Sequence, residues 1–272
     1  MCGRYASTKN PATLAVEFDA IDGTGDGTGG GIGGGPGPPE PDYNVAPTKP
    51  VFSVVTRHPR DAAGTPDPDR TERSIRVMRW GLVPHWAKDP GIGSRLINAR
   101  AETAATKPAF RDALARRRCL LPADGWYEWQ SLAAPAARAT SGARKQPFFI
   151  TPADGSGLAL AGVWSTWRAA DAEPETPLLV TCAVLTTDAV GPLAEIHQRM
   201  PLILPAQAWA DWLDPDADDP GSLLAPPSAG LVHTLELRPV STTVNNVRNQ
   251  GPELVKRIEP EQPALLDLDR IR

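Results

Sequence analysis

The feature that most constrains the fold is a series of short apolar runs, each bounded by turn residues. They are VFSVVT (51–56), IRVMRWGLV (75–83), CLLPADGWYEWQ (119–130) and PFFIT (147–151), then LALAGVWSTW (158–167), LLVTCAVLT (178–186), MPLILP (200–205) and HTLELRPV (233–240). Most are of strand length and rich in β-branched and aromatic residues, and 24 Gly and 30 Pro break up the chain between and within them. Helical candidates are fewer. Residues 11–18 open with Asn10 as N-cap and Pro11 at the first helical position, and 100–116, 188–196 and 205–213 follow. Many short strands with scattered helices predict an α+β fold, a largely antiparallel, barrel-like sheet with peripheral helices. The strands are joined too irregularly for a doubly wound βαβ fold. Neither a repeat nor a linker divides the chain, so one domain is expected over 1–256, with a C-terminal tail at 257–272.

Several function classes fall away on composition. Residues 23–39 (GTGDGTGGGIGGGPGPP) invite reading as a phosphate-cradling loop, but no apolar strand leads in, no GK[ST] follows and no helix opens after them. A flexible insertion fits better. Segments 57–73 and 131–146 read as further polar loops. No stretch approaches the ~18 apolar residues of a spanning helix. The N-terminal MCGRYASTKNP lacks the apolar segment of a secretory signal, so a cytoplasmic protein without a membrane partner is expected. Three cysteines form neither a disulfide framework nor a CxxC zinc pair, and Cys119 and Cys182 read as small core residues. A formal charge of −4 argues weakly against a nucleic-acid partner. Yet the carboxylates crowd 211–219 and 260–269, while Arg79, Arg95, Arg100, Arg111 and Arg116 to Arg118 gather elsewhere, which allows a local basic groove.

Four segments carry potential chemistry, each with an ordinary reading beside it. Cys2 qualifies as the small second residue that methionine removal requires. A chain beginning at Cys2 would hold an α-amine and a thiol on adjacent carbons, with unperturbed pKa values of about 8 and 8.5 and usable nucleophilic fractions near neutrality. The amine condenses with an aldehyde to an imine, and the thiol closes a five-membered thiazolidine. By position alone Cys2 is merely a residue near a frayed terminus. In LINARAET (96–103), Asn98, Arg100 and Glu102 would line one face if extended, or else cap a helix. In DGWYEWQ (124–130), a strand would set Trp126, Glu128 and Gln130 on one face and Tyr127 and Trp129 on the other. A carboxyl among aromatics is a candidate general acid or base, though an isolated WxEW is more often core. In EIHQRMP (195–201), His197 is a candidate proton shuttle with Arg199 two positions on; His58, His85 and His233 read as structural.

Taken in order, MCGRY, YNVAPT (43–48), MRWGLVPHWAKD (78–89), INARAET, CLLPADGWYEW, EIHQRMP and VNNVRNQGPEL (244–254) resemble the SOS-response-associated peptidases, a group that includes abasic-site shields. The resemblance runs from residue 1 to about 256, and the insertion at 23–39, the loop at 131–146 and the acidic tail depart from it without interrupting a motif. It implies that Cys2 is the nucleophile once Met1 is removed, and that Asn98 positions the Cys2 amine. Glu128 would assist Met1 removal and transfer protons, and His197 would help open the abasic sugar. Arg100 and Arg199 would hold phosphates, with Trp129 and Pro47 as a wedge between bases. Arg4 and Asn44 would support the terminus or contact the DNA backbone. The implied partner is single-stranded DNA carrying abasic sites, bound by a monomer that joins the nucleoid when on DNA. No metal or organic cofactor is implied. Two rival readings stay open: a cysteine hydrolase of other proteins using Cys2 and His197, and a non-covalent reader of single-stranded or modified DNA.

Overall fold

The computed structural model describes residues 2–24, 38–132, 145–173 and 175–259. Met1, most of the 23–39 insertion, most of the 131–146 loop and most of the C-terminal tail lie outside the described residues. The fold is α+β, and its strands form two sheets rather than one.

The smaller sheet runs in the order β13-β9-β8-β1-β3. Its strands are β1 (Tyr5–Ser7), β3 (Asp42–Val45), β8 (Gly125–Ser131), β9 (Lys145–Pro152) and β13 (Leu235–Pro239). All of its pairings are antiparallel. The larger sheet runs β12-β11-β10-β7-β4-β5-β2. Its members are β2 (Ile21–Asp22), β4 (Pro50–Arg57), β5 (Glu72–Trp80), β7 (Arg118–Ala123), β10 (Leu158–Trp167), β11 (Leu179–Asp188) and β12 (Arg199–Pro201). A short β6 (Asn98–Arg100) lies parallel to β11. β5 also returns to pair with β11, so β11, β10, β7, β4 and β5 make a closed circuit of pairings.

The alternation of β10 explains how two cores fit around one strand. Leu158, Leu160 and Trp164 enter one buried cluster, and Ala159, Ala161 and Val163 enter the other. A strand covered on both faces reads as an unbroken apolar run, which is how 158–167 reads. Gly162 is required there: a Cβ would stand 3.0 Å from the Cys119 sulfur and 3.0 Å from the Ala183 carbonyl oxygen. Cys119 and Cys182 are fully buried in the first cluster, as expected of small core residues.

Element boundaries depart from the sequence reading where turn chemistry intervenes. The run 75–83 stops at Trp80 because Gly81 has φ +122° and its hydrogen atoms face the Gly93 carbonyl, 2.6 Å from where a Cβ would sit. The run 119–130 splits at Asp124, and its halves join different sheets. The helix expected over 100–116 is two pieces, α2 (Ala101–Ala104) and α3 (Arg111–Arg116), with Pro108 between them. Residues 188–196 yield only α4 (Leu193–Ile196), since Gly191 and Pro192 precede it. The helix opened by Asn10 forms as read: α1 (Pro11–Glu17), with Asn10 accepting from the Thr13 amide at 2.9 Å. Over 205–213 the α-helix is confined to α5 (Trp209–Leu213), and α6 (Ala229–His233) delays β13 to Leu235. Among the described residues no helix is long and apolar enough to cross a membrane.

The last described segment is tied to β13 through Glu236. Its carboxylate meets Arg238 at 2.7 Å and Arg257 at 2.6 Å, and Arg238 also donates to the Val255 carbonyl at 2.9 Å. Arg238, then Arg257, lower the Glu236 pKa to about 2. A carboxyl depressed in the folded state stabilises above its unfolded pKa, and that stability is lost as pH falls through the folded value. Glu236→Gln is therefore expected to lower the melting temperature at pH 7 and to flatten the acid limb between about 4.3 and 2. The size is on the order of 1 kcal/mol, because solvent screens an exposed network. Thermal melts across that range, at low and high salt, check it.

Candidate functional site

Local pairing sets the N-terminal residues against β8. Tyr5 stands opposite Trp126 and Ala6 opposite Gly125, and the Tyr127 amide donates to the Arg4 carbonyl at 2.9 Å. This carries Cys2 into the core with Tyr5, Trp80, Trp126 and Met200, at 0% exposure. Burial, and after it the charge of Glu128, push the Cys2 thiol well above its ordinary value, opposed by a hydrogen bond from the Arg4 backbone. The usable thiolate fraction expected from an unperturbed thiol is thus corrected. In this environment the sulfur rests protonated, because a desolvated thiolate beside a carboxylate is unfavourable twice over.

Asn98 reaches Cys2 across 96 positions of sequence. β6 sits on β11 with Asn98 opposite Val184, and the Asn98 side-chain amide donates to the Cys2 carbonyl at 2.7 Å. Its own carbonyl oxygen, Oδ1, is buried and has no hydrogen-bond partner among the described residues. A buried acceptor left open next to a chain terminus is suited to receive an amine N–H.

The strand alternation read for 124–130 holds. Trp126 enters the cluster that contains Cys2, while Tyr127 and Trp129 join a separate cluster on the opposite face. Glu128 is 5% exposed, and its Oε1 lies 3.9 Å from His197 Nε2. Burial raises the Glu128 pKa, and the neighbouring His197 opposes that. His197 sits at the corner between α4 and β12. The Arg199 backbone holds its Nδ1, with the amide nitrogen at 3.0 Å and the carbonyl oxygen at 3.2 Å, and so turns Nε2 toward Glu128. Gln130 ties β8 to this corner through the Glu195 carbonyl at 3.1 Å. Together these groups set a buried carboxyl, whose charge reaches the Cys2 thiol, next to a half-buried imidazole.

The residues expected to meet DNA are distributed unequally. Arg100 is exposed at the end of β6, opposite Thr186. Arg199 is committed within the protein: Nη1 meets Glu102 and Asp188 at 2.6 Å each, and Nη2 donates to the Thr186 carbonyl at 2.6 Å. Glu102 does not extend the face of Asn98 and Arg100, because the strand ends at Arg100 and α2 turns Glu102 toward Arg199. Trp129 is half-buried, donates its indole N–H to Asn245 Oδ1 at 2.7 Å, and carries the Arg4 guanidinium 5.8 Å from its ring. Pro47 is half-buried in the turn before β4. Of the two expectations for Asn44, support of the N-terminal segment or contact with the DNA backbone, its surroundings match the first. It is 0% exposed, accepts from Arg4 at 2.7 Å, and donates to the carbonyls of Asn246 and Asn249 at 3.0 Å each. The role of Asn245 beside Trp129 escaped the sequence reading; VNNVRNQ was visible as a motif, but nothing in it named its contact. Among the described residues no group of three or more His, Cys, Asp or Glu side chains could hold a metal ion.

The family model described as SOS response associated peptidase (SRAP) matches residues 1–247. The chain is 35% identical over 259 residues to the abasic site processing protein YoqW of Bacillus subtilis, covering 94% of this chain and 99% of that protein. It is 35% identical to the abasic site processing protein YedK of Escherichia coli, covering 95% of this chain and all of YedK. To the abasic site processing protein HMCES of Gallus gallus it is 32% identical, covering 95% of this chain and 78% of that one. A solved structure of a Bacteroides thetaiotaomicron protein superposes with a TM-score of 0.69 at 22% identity, covering 95% of this chain and 100% of that one, and so shares the fold.

Proposed function

The chain belongs to the SOS response associated peptidase family, and from that premise we propose that it captures abasic sites in single-stranded DNA as a covalent thiazolidine on Cys2. One observation carries the reading. The Asn98 amide grips the Cys2 carbonyl at 2.7 Å, while Glu128, whose charge reaches the buried thiol, lies 3.9 Å from His197.

The chemistry follows from the states these groups favour. Removal of Met1 frees the Cys2 amine, whose N–H the open Asn98 Oδ1 would accept. An abasic sugar is mostly a closed hemiacetal, so proton transfer by His197 assists its opening to the aldehyde. The amine adds to the aldehyde carbon, and loss of water leaves the imine. The thiol then adds across the C=N bond: sulfur bonds carbon, and the thiol proton passes to nitrogen by way of Glu128. Amine attack comes first because burial keeps the thiol protonated until the imine stands beside it. The product lacks the aldehyde whose electron sink drives strand cleavage by β-elimination.

Arg100 is the exposed cation suited to a flanking phosphate, and Trp129 with Pro47 would stack against splayed bases. Arg199 would contribute only if a phosphate displaced Glu102 or Asp188. The rival peptidase reading is disfavoured by the burial of Cys2, since an extended peptide must straddle its nucleophile, whereas an opened sugar is a slender electrophile. We take the acting unit to be a single domain over 1–256, working as a monomer on cytoplasmic DNA.

The test is a single-stranded oligonucleotide with one abasic site, incubated with protein and run on a denaturing gel. A shifted band that survives detergent and heat is expected, and intact mass should give Cys2 as the first residue. Pairing the same oligonucleotide with a complement should slow the reaction about tenfold or more, because unstacking a base from duplex costs a few kcal/mol. Absence of the band from protein whose mass begins at Cys2 overturns the proposal.

A further inference from the structure

The two groups asked to move protons sit on elements that meet only through tertiary contact. Glu128 is on β8, in a stretch that β9 pins: Glu128 stands opposite Phe148, and Gln130 opposite Gln146. His197 follows α4, a helix of one turn. A helix that short is marginal by itself and depends on its surroundings for its orientation. After His197, the Ala189 amide donates to the Gln198 carbonyl at 2.9 Å and Arg199 stands opposite Asp188, which ties the chain to the end of β11. Before His197, Leu193 and Ile196 are buried. Apolar burial fixes the depth of α4 but is non-directional, so it does not by itself set how the helix sits against β8.

Gln130 supplies a direction. The last carbonyls of a helix have no partner within it, and Glu195 presents one of them. The His197 amide closes the turn on the Leu193 carbonyl at 3.0 Å, and the Gln130 side-chain amide donates to the Glu195 carbonyl at 3.1 Å. Glu128 and Gln130, two apart on a strand, project from the same face. That face therefore meets the α4 corner twice, through Gln130 and through Glu128 Oε1, which lies 3.9 Å from His197 Nε2. The second separation is longer than a hydrogen bond, so it is a distance that the Gln130 contact can set.

We propose that Gln130 is a positioning residue: by holding the Glu195 carbonyl it aims His197 at Glu128 and so sets the rate at which protons move during capture. The role rests on the abasic-site reading, since that reaction defines it. Gln130 is half-buried, so water can reach the Glu195 carbonyl once the amide is gone. Its loss should accordingly cost aim rather than stability. Rate is the more sensitive of the two, because misplacing a reacting group by ~1 Å can cost about 10²-fold.

Gln130→Met keeps the length of the side chain and removes the donor. It should melt within a couple of degrees of wild type and crosslink abasic single-stranded DNA about tenfold more slowly at saturation, with half-saturation unchanged. A double-mutant cycle separates aim from general damage. In a His197→Ala background, with no imidazole left to aim, Gln130→Met should change the rate by less than about twofold. In an Arg100→Gln background the tenfold loss should persist. A wild-type rate for Gln130→Met, or a full tenfold loss added to that of His197→Ala, would overturn the role. A readout without DNA is the titration of a carbon-13-labelled Glu128 carboxyl by NMR. The charge of His197 opposes the burial that raises the Glu128 pKa, so releasing the corner should move the Glu128 midpoint further up. An unmoved midpoint would also overturn the tie. If the wild-type protein never crosslinks abasic DNA but the midpoint rises in Gln130→Met, the capture reading fails and the positioning of His197 by Gln130 stands.

Discussion

Cys2→Ala is expected to leave no heat-stable band with abasic single-stranded DNA at any time, whereas the wild-type reaction runs to completion. Without sulfur the chain can at most form an imine, which hydrolyses under denaturing conditions and is held only if borohydride reduces it. Glu128→Gln and His197→Ala retain both nucleophiles and lose a proton-transfer group, so they should be slow, by about 10²–10⁴-fold, rather than inactive. The measurement is a quenched time course of all four proteins. Because Cys2 is 0% exposed, its truncation leaves a small cavity costing about 1–2 kcal/mol, which thermal melts should register as a modest shift. Stable wild-type crosslinking by Cys2→Ala would overturn the nucleophile. Wild-type rates for Glu128→Gln and His197→Ala would leave the thiazolidine intact and remove their proposed roles.

Arg118→Met should be the most destabilising single substitution proposed here, by about 3–5 kcal/mol. Arg118 is 5% exposed, and its five N–H donors each meet a backbone carbonyl. Nε donates to Trp212 at 2.6 Å, Nη1 to Leu114 and Ala115 at 2.9 Å each, and Nη2 to Asp214 and Ala217 at 2.7 Å each. Those carbonyls are the orphan acceptors at the C-terminal ends of α3 and α5 and of the loop after α5, so one side chain closes two helices. Methionine has similar reach and no donor, and leaves them buried and unpaired. At roughly 2–4 °C per kcal/mol for a chain of this size, the melting temperature should fall by about 10 °C. Arg118→Lys retains the charge but has three donors for five acceptors, and should fall between. A melt of Arg118→Met within a couple of degrees of wild type would remove this account.

The three consecutive arginines mark the boundary of what a sequence can say. Arg116, Arg117 and Arg118 read as one basic group. Folding sends Arg116 to the surface, Arg117 onto Trp164 and Arg118 into the core. Their composition is local, but the strand register that separates them is not.

What the sequence determined by itself is what depends on local periodicity and chemistry. Period-two alternation put Glu128 and Trp129 on opposite faces of a strand, the double-sided apolar run of 158–167 became the strand shared by two cores, and Asn10-Pro11 opened a helix. The joint order of motifs identified the family. Tertiary structure alone decided the division into two sheets, the reach of Asn98 to Cys2, the commitment of Arg199 to Glu102 and Asp188, and the burial of Asn44. It also decided the protonation of the Cys2 thiol. Each of these depends on which distant segment covers a group, because hydrogen-bond partners and the desolvation of a charge are set by neighbours in space, and β6, β8 and α4 come to Cys2 from residues 98, 125 and 193 onward.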